Sequence, residues 1–152
     1  MGISIGLFGG GFLEEPGWTA CVTDIMKKRN IGPVRTGIII GLVWGIWHIL
    51  PTAWGSGDNT GKFDFMLFLP PMVFYIGVLP VYRMIMTMIY YKYSNVYTSI
   101  LMHMSLTATT LFIIVPRAAG LELVYYYLLL TIILYIVFLI IKRGHVHGKL
   151  QS

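Results

Sequence analysis

Cysteine and acidic side chains are scarce in this chain of 152 residues. Cys21 is the single cysteine, so the sequence excludes an internal disulfide bond and a cysteine-rich metal site. Six aspartates and glutamates stand against eleven lysines and arginines, and charged residues make up only 11% of the chain. Hydrophobic residues make up 57%. This composition excludes an ordinary soluble domain.

The apolar residues form blocks that are long enough to cross a bilayer. A helix needs roughly 20 residues to span a hydrocarbon core of about 30 Å. None of the blocks alternates as a barrel strand would, and hydrophobicity on all sides is typical of a lipid-embedded helix. We therefore predict an all-α, polytopic transmembrane helical bundle with about four spanning helices, over residues 36–54, 63–91, 96–115 and 121–141.

Two segments depart from a simple spanning helix. The block 63–91 is longer than a bilayer requires and contains Pro70, Pro71 and Pro80, so we expect a loop-like entry or a kink. Residues 1–13 are too few to span, and the glycines at 9–11 should weaken any helix there. We expect the N-terminal segment to form an amphipathic or partly inserted helix.

Basic residues predict the orientation of the bundle. They cluster in the loop 27–35, at Lys92 and in the stretch 142–149. The positive-inside rule then places the loop 27–35, the turn 92–95 and the C-terminus in the cytoplasm, as in a multi-pass protein of the cell membrane. The net charge of +5 is thus an orientation signal, and the lipid bilayer is the expected partner. No stretch interleaves basic and aromatic residues as a nucleic-acid binder would.

Three ionisable residues lie at one predicted depth in the membrane. His48 is thirteen residues beyond Arg35, His103 is eleven beyond Lys92, and Glu14 is thirteen before Lys27. At 1.5 Å per helical residue, each lies about 16 to 20 Å from its basic anchor.

Each of these residues also has a purely structural interpretation. A lone histidine in a membrane helix is often a packing residue. Glu14 and Glu15 suit the positive end of a helix that begins at Pro16. A glutamate and two histidines at one depth are costly unless they are used, so their coincidence favours a functional site.

Two further residues share a helix face with the histidines. Trp44 lies four residues before His48, and Thr107 lies four residues after His103. Taken alone, Trp44 suits simple packing and Thr107 suits a hydrogen bond to its own helix. Together they would add an aromatic wall and a hydroxyl donor to the same cavity.

Three strings of residues carry a resemblance to a known family. In order, they are Glu-Glu-Pro-Gly-Trp-Thr at 14–19, Trp-Gly-Ile-Trp-His at 44–48 and His-Met-Ser-Leu-Thr at 103–107. They resemble the EExxxR, aromatic-xxx-His and HxxxN motifs of the type II CAAX prenyl endopeptidases, also called the CPBP or Abi family of intramembrane proteases. The resemblance covers roughly residues 12–112.

The resemblance implies a hydrolase that cleaves a peptide bond inside the membrane. Its substrate would be a membrane-associated peptide or protein, prenylated or bacteriocin-like. Glu14 with His48 would position and deprotonate a water, because a carboxylate held away from bulk water is a usable base near neutral pH. His103 and Thr107 would donate hydrogen bonds to the developing oxyanion.

The remaining roles implied by the resemblance are supporting ones. Glu15 would orient the site, and Trp44 would wall it. Family members are often labelled metalloproteases, and Glu14, His48 and His103 are the alternative zinc ligands. Since HExxH is absent, we favour a mechanism without a metal or other cofactor.

The chain departs from the family motifs in three ways. Thr19 stands where the family has arginine, and Arg83 is the candidate to replace that cation. Thr107 stands where asparagine is usual. The chain also begins at the first motif, so we expect a single domain, 1–152, that lacks the family's upstream helices.

These departures motivate an alternative function. A catalytically impaired relative would act as a membrane immunity or peptide-binding factor. A proton or ion carrier is disfavoured because the chain shows no inverted repeat.

Overall fold

The structure is a computed structural model that describes residues 6–58, 60–114 and 118–149. All regular secondary structure in these residues is helical, which confirms the all-α bundle. Three of the helices are long and apolar enough to cross a membrane: Pro33–Gly55, Phe65–Tyr93 and Gly120–Gly144.

Helix α1 covers residues 6–28 without a break. Its segments Gly6–Phe12 and Pro16–Thr23 are π-helical, whereas Leu13–Glu15 and Asp24–Lys28 are α-helical. Pro16 begins the second π-helical segment, so the change of helix type coincides with its missing N–H. This helix presents the two adjacent glutamates to the rest of the bundle.

Helices α2 and α3 form the main pair of the bundle. Helix α2 is Pro33–Gly55. Helix α3 is Phe65–Tyr93, and it contains a π-helical segment at Phe74–Val78. The predicted loop-like entry is wrong, because Asp64 caps α3 by accepting a hydrogen bond of 2.8 Å from the Met66 N–H, and the helix then runs through its prolines.

Helices α4 and α5 complete the bundle. Helix α4 is Val96–Ala108 followed by the π-helical segment Thr109–Ile114, and it is not among the three apolar spans. The last residue of the predicted block 96–115 lies outside the described residues. A tight turn joins α3 to α4, in which Ser94 adopts a left-handed φ of 50° and Asn95 caps α4. Helix α5 is Gly120–Lys149.

Glycines allow the closest helix contacts. A Cβ atom on Gly41 would lie 2.5 Å from the Pro80 Cα, and one on Gly37 would lie 2.5 Å from the Met84 Cα. These contacts bring the α2 backbone against α3. A Cβ on Gly11 of α1 would lie 2.8 Å from the Ile100 carbonyl oxygen of α4. The expected N-terminal helix therefore forms despite its glycines, since packing against α4 outweighs their low helix propensity.

A buried ion pair lies inside this bundle, and many large apolar side chains lie on its outside. Arg83 and Glu15 are both 0% exposed. Large apolar side chains on the outer faces of α2 and α5 are exposed instead. They include Ile39, Val43, Ile46 and Leu50 on α2 and Leu129, Ile132, Ile136 and Ile140 on α5. Hydrocarbon is the solvent that this distribution suits, so the protein is a membrane protein.

The close contact of Gly41 with α3 predicts an effect of substitution on stability. Gly41→Ala should destabilise the protein by about 1 to 3 kcal/mol, because the new methyl group has no space against the α3 backbone. Gly17→Ala is the matched control, since a Cβ there meets nothing within 4 Å. It should leave stability unchanged or raise it by up to about 1 kcal/mol. Unfolding in detergent, followed by tryptophan fluorescence, compares them; equal midpoints would contradict the close α2–α3 contact.

Candidate active site

A buried ion pair joins α1 to α3. The Arg83 Nη1 donates hydrogen bonds to both oxygens of Glu15, at 2.7 Å and 2.9 Å. Thr19, one turn after Glu15, donates its hydroxyl to the same carboxylate and accepts a 3.0 Å hydrogen bond from Arg83 Nη2. His103 of α4 completes the group, with Nδ1 2.9 Å from Glu15 Oε1. Three side chains, one each from α1, α3 and α4, thus satisfy one buried carboxylate.

Arg83 occupies the electrostatic role that the sequence left open. Position 19, where the family motif has arginine, is a threonine here, and the cation reaches Glu15 from α3 instead. Its guanidinium also lies over the Trp44 ring, 5.6 Å from the centroid. Among the buried side-chain nitrogen and oxygen atoms of the described residues, Arg83 Nε is the one without a hydrogen-bond partner.

Glu14 binds the indole of Trp44. Its Oε2 accepts a 2.9 Å hydrogen bond from the Trp44 indole N–H. The Trp44 ring in turn packs edge-on against the His103 ring, with centroids 4.5 Å apart. Glu14 is half-buried, whereas Glu15 is fully buried. The structure therefore separates the two adjacent carboxylates, one bound to the cation and one to the indole.

His48 is held from its own helix. Its Nδ1 lies 2.8 Å from the Trp44 carbonyl oxygen one turn earlier. A carbonyl can only accept, so Nδ1 carries the proton and donates it. In the neutral imidazole this leaves the Nε2 lone pair free for a reacting group.

One cavity brings most of the predicted residues together. It has a volume of about 190 Å³. Four of its lining residues were predicted from the sequence: Trp44, His48, His103 and Thr107. Apolar walls come mainly from Phe74, Leu79 and Leu106. Glu14 and Glu15 are not among the lining residues, but each binds one of them directly.

Two residues in or beside this cavity were not predicted from the sequence. A Cβ on Gly10 would lie 3.0 Å from His103 Nε2 and 3.5 Å from the Thr107 hydroxyl, so Gly10 leaves space for both groups. The run of three glycines at 9–11 was the available signal. Tyr75 also lines the cavity, and its ring lies 5.2 Å from that of His48. No sequence motif marks Tyr75.

The side chains do not fit the alternative zinc site. Among the described residues, no group of three or more His, Cys, Asp and Glu side chains is placed to hold a metal ion. We therefore derive no step through a metal.

The family resemblance is confirmed by comparison with family models. The model described as "Type II CAAX prenyl endopeptidase Rce1-like" matches residues 1–109, which include all three motifs. The chain belongs to this Rce1-like family, which is a family of CAAX-type intramembrane proteases. Comparisons with curated proteins and with solved structures each found no match.

The role of Arg83 as the counter-ion of Glu15 can be tested by removing it and by placing an arginine at position 19. Arg83→Met should destabilise the protein by about 3 to 5 kcal/mol, because it leaves the Glu15 carboxylate buried without a counter-ion. Adding Thr19→Arg, which restores the family's arginine on α1, should recover part of that loss. Unfolding midpoints in detergent measure both variants. If Arg83→Met has wild-type stability, the ion pair does not hold the bundle together.

Proposed function

We propose that the protein is an intramembrane endopeptidase that hydrolyses a peptide bond with a water activated by Glu14 and His48. One observation supports this proposal most strongly. Two imidazoles and the Thr107 hydroxyl line one cavity within an apolar bundle, and Glu14 binds the tryptophan on its wall. Ionisable groups so placed in a membrane are costly unless they are used.

The two histidines have different partners, which suit different roles. His48 donates Nδ1–H to a neutral carbonyl, so its neutral form offers Nε2 as a proton acceptor. His103 donates Nδ1–H to the Glu15 carboxylate, because a carboxylate oxygen can only accept. When Nε2 also carries a proton, it can donate to an oxyanion beside Gly10 and Thr107.

The proposed reaction uses these groups in sequence. A water held between Glu14 and His48 attacks the scissile carbonyl carbon, and its proton passes to one of these two bases. The carbonyl oxygen becomes an oxyanion that accepts hydrogen bonds from His103 and Thr107. Collapse of the tetrahedral intermediate breaks the C–N bond, and the leaving amine takes the proton. Glu15, held by Arg83, keeps His103 in place.

The apolar surroundings of the cavity support the substrate class that the family resemblance implies. Apolar and aromatic side chains form most of its walls, and the outer faces of the bundle are apolar. We propose a membrane-associated peptide or protein as substrate, either prenylated or bacteriocin-like. The proposed route needs no metal ion.

Proteolysis by the purified protein tests these roles. Glu14→Gln, His48→Ala and His103→Ala should each lower kcat/KM for a fluorogenic lipopeptide by at least about 100-fold. Thr107→Val should cause a comparable loss, because it removes an oxyanion donor, whereas Thr107→Asn restores the family's donor and should retain activity. Added chelator should leave the wild-type rate unchanged.

The matched control is Glu122→Gln, which removes an exposed carboxylate at the start of α5, outside this cavity. It should cleave at the wild-type rate. Wild-type rates in all three of the first variants would refute the assignment. Binding of the peptide without cleavage by the wild type would instead support the immunity or peptide-binding function that Thr19 and Thr107 suggested.

We also propose that the protein lies in the cell membrane with its C-terminus in the cytoplasm. The support is the distribution of basic residues, which favours the loop 27–35, the turn 92–95 and the C-terminal end of α5 on one side. Arg117, in a loop expected on the other side, lies outside the described residues.

Cysteine labelling tests this orientation. In a Cys21→Ser background, Thr60→Cys and Ser94→Cys place one exposed thiol at each end of α3. A membrane-impermeant maleimide should label position 60 in intact cells, and position 94 only after permeabilisation. The reverse pattern would show the opposite orientation.

A further inference from the structure

Tyr75 packs along one stripe of α2 that includes His48. A Cβ on Gly45 would lie 2.5 Å from the Tyr75 carbonyl oxygen, so Gly45 admits the Tyr75 backbone against α2. The Tyr75 ring lies against His48, with centroids 5.2 Å apart and planes inclined by 31°. The Tyr75 hydroxyl is 3.0 Å from Thr52 Oγ1. Gly45, His48 and Thr52 are spaced by three and four residues, which places them on one helix face.

The contact with Tyr75 adds a restraint on the His48 ring to the one that the hydrogen bond to the Trp44 carbonyl provides. The contact between Nδ1 and the Trp44 carbonyl fixes one atom of the His48 ring. A single hydrogen bond restrains the rotation of the ring plane only weakly when other polar groups can compete for it, and His48 is only half-buried. The Tyr75 ring limits that rotation, and the hydrogen bond to Thr52 limits the movement of the Tyr75 ring.

We propose that Tyr75 is a positioning residue that holds the His48 imidazole with its Nε2 directed into the cavity. This inference rests on the proposed function for its kinetic consequence, because it assigns to Tyr75 the orientation of the proposed base. Its structural content, the ordering of the His48 ring, can be measured without any substrate.

The test must keep the aromatic ring in place. Tyr75 also lines a second, mostly apolar cavity of about 320 Å³, together with Leu67, Pro71 and Tyr127. Removal of the whole ring would join the two cavities and change substrate binding for a separate reason. Tyr75→Phe removes only the hydroxyl, and Thr52→Val removes only its partner.

The chain offers a matched control pair. Tyr91 also lies on α3, and its hydroxyl is 2.9 Å from Thr36 Oγ1 of α2. It also donates a 2.7 Å hydrogen bond to the Ile31 carbonyl. Tyr91→Phe and Thr36→Val therefore remove a tyrosine–threonine hydrogen bond between the same two helices, without contact with a histidine. They measure the effect of helix-pair destabilisation alone.

NMR of ¹⁵N-histidine-labelled full-length protein in detergent gives the first readout. We expect one sharp set of His48 ring resonances in the wild type and in both control variants. Tyr75→Phe and Thr52→Val should each broaden or double those resonances. Assignment comes from the signals that disappear in His48→Ala.

Kinetics on the cleaved lipopeptide gives the second readout. Tyr75→Phe and Thr52→Val should each lower kcat by about three- to tenfold, as expected for one lost hydrogen bond, with KM unchanged. The double variant should be no slower than the slower single one, because both substitutions remove the same hydrogen bond. The control variants should keep the wild-type kcat.

Two results would overturn the proposal. One is an unchanged set of His48 resonances in Tyr75→Phe and Thr52→Val. The other is equal broadening in the Tyr91 and Thr36 control variants, which would show a general loosening of α2 against α3. If the wild type cleaves no peptide, the proposed endopeptidase function fails, while the NMR result still decides the role of Tyr75.

Discussion

The buried carboxylate of Glu15 is the constraint on which the rest of the structure depends. A carboxylate in an apolar bundle costs several kcal/mol unless it is paired and fully hydrogen-bonded. Arg83, Thr19 and His103 satisfy that requirement from α3, α1 and α4. The same group of contacts therefore fixes the relative positions of three helices and orients His103 towards the cavity. Stability and site geometry have one physical origin here.

These side chains can bind one another directly because glycines allow the helices to pack closely. Apolar side chains gain little from association when lipid surrounds them, so membrane helices pack mainly through small residues and polar contacts. Gly41 and Gly45 bring the α2 backbone against α3, and Gly10 and Gly11 bring α1 against α4. Without these glycines, hydrogen bonds of about 3 Å between the helices would be out of reach.

Hydropathy and motif spacing predicted the spanning helices and most of the residues at the cavity. Hydropathy over about 20 residues predicted three helices that the structure confirms as apolar spans, and motif spacing predicted Trp44, His48, His103 and Thr107, which line one cavity. Arg83 was also predicted, as the candidate for the cation that is missing at Thr19. The contact of the N-terminal glycines with α4 and the position of Tyr75 at the cavity were not predicted. Both depend on contacts between residues distant in sequence, such as Gly10 with His103, which propensity and periodicity do not encode.

The cation that neutralises Glu15 comes from a different helix. An arginine at position 19 would sit one turn from Glu15 and would pair with it within α1 alone. With threonine there, Glu15 acquires its counter-ion only when α3 is docked against α1. Neutralisation of Glu15 and orientation of His103 therefore both require α1, α3 and α4 to be packed together.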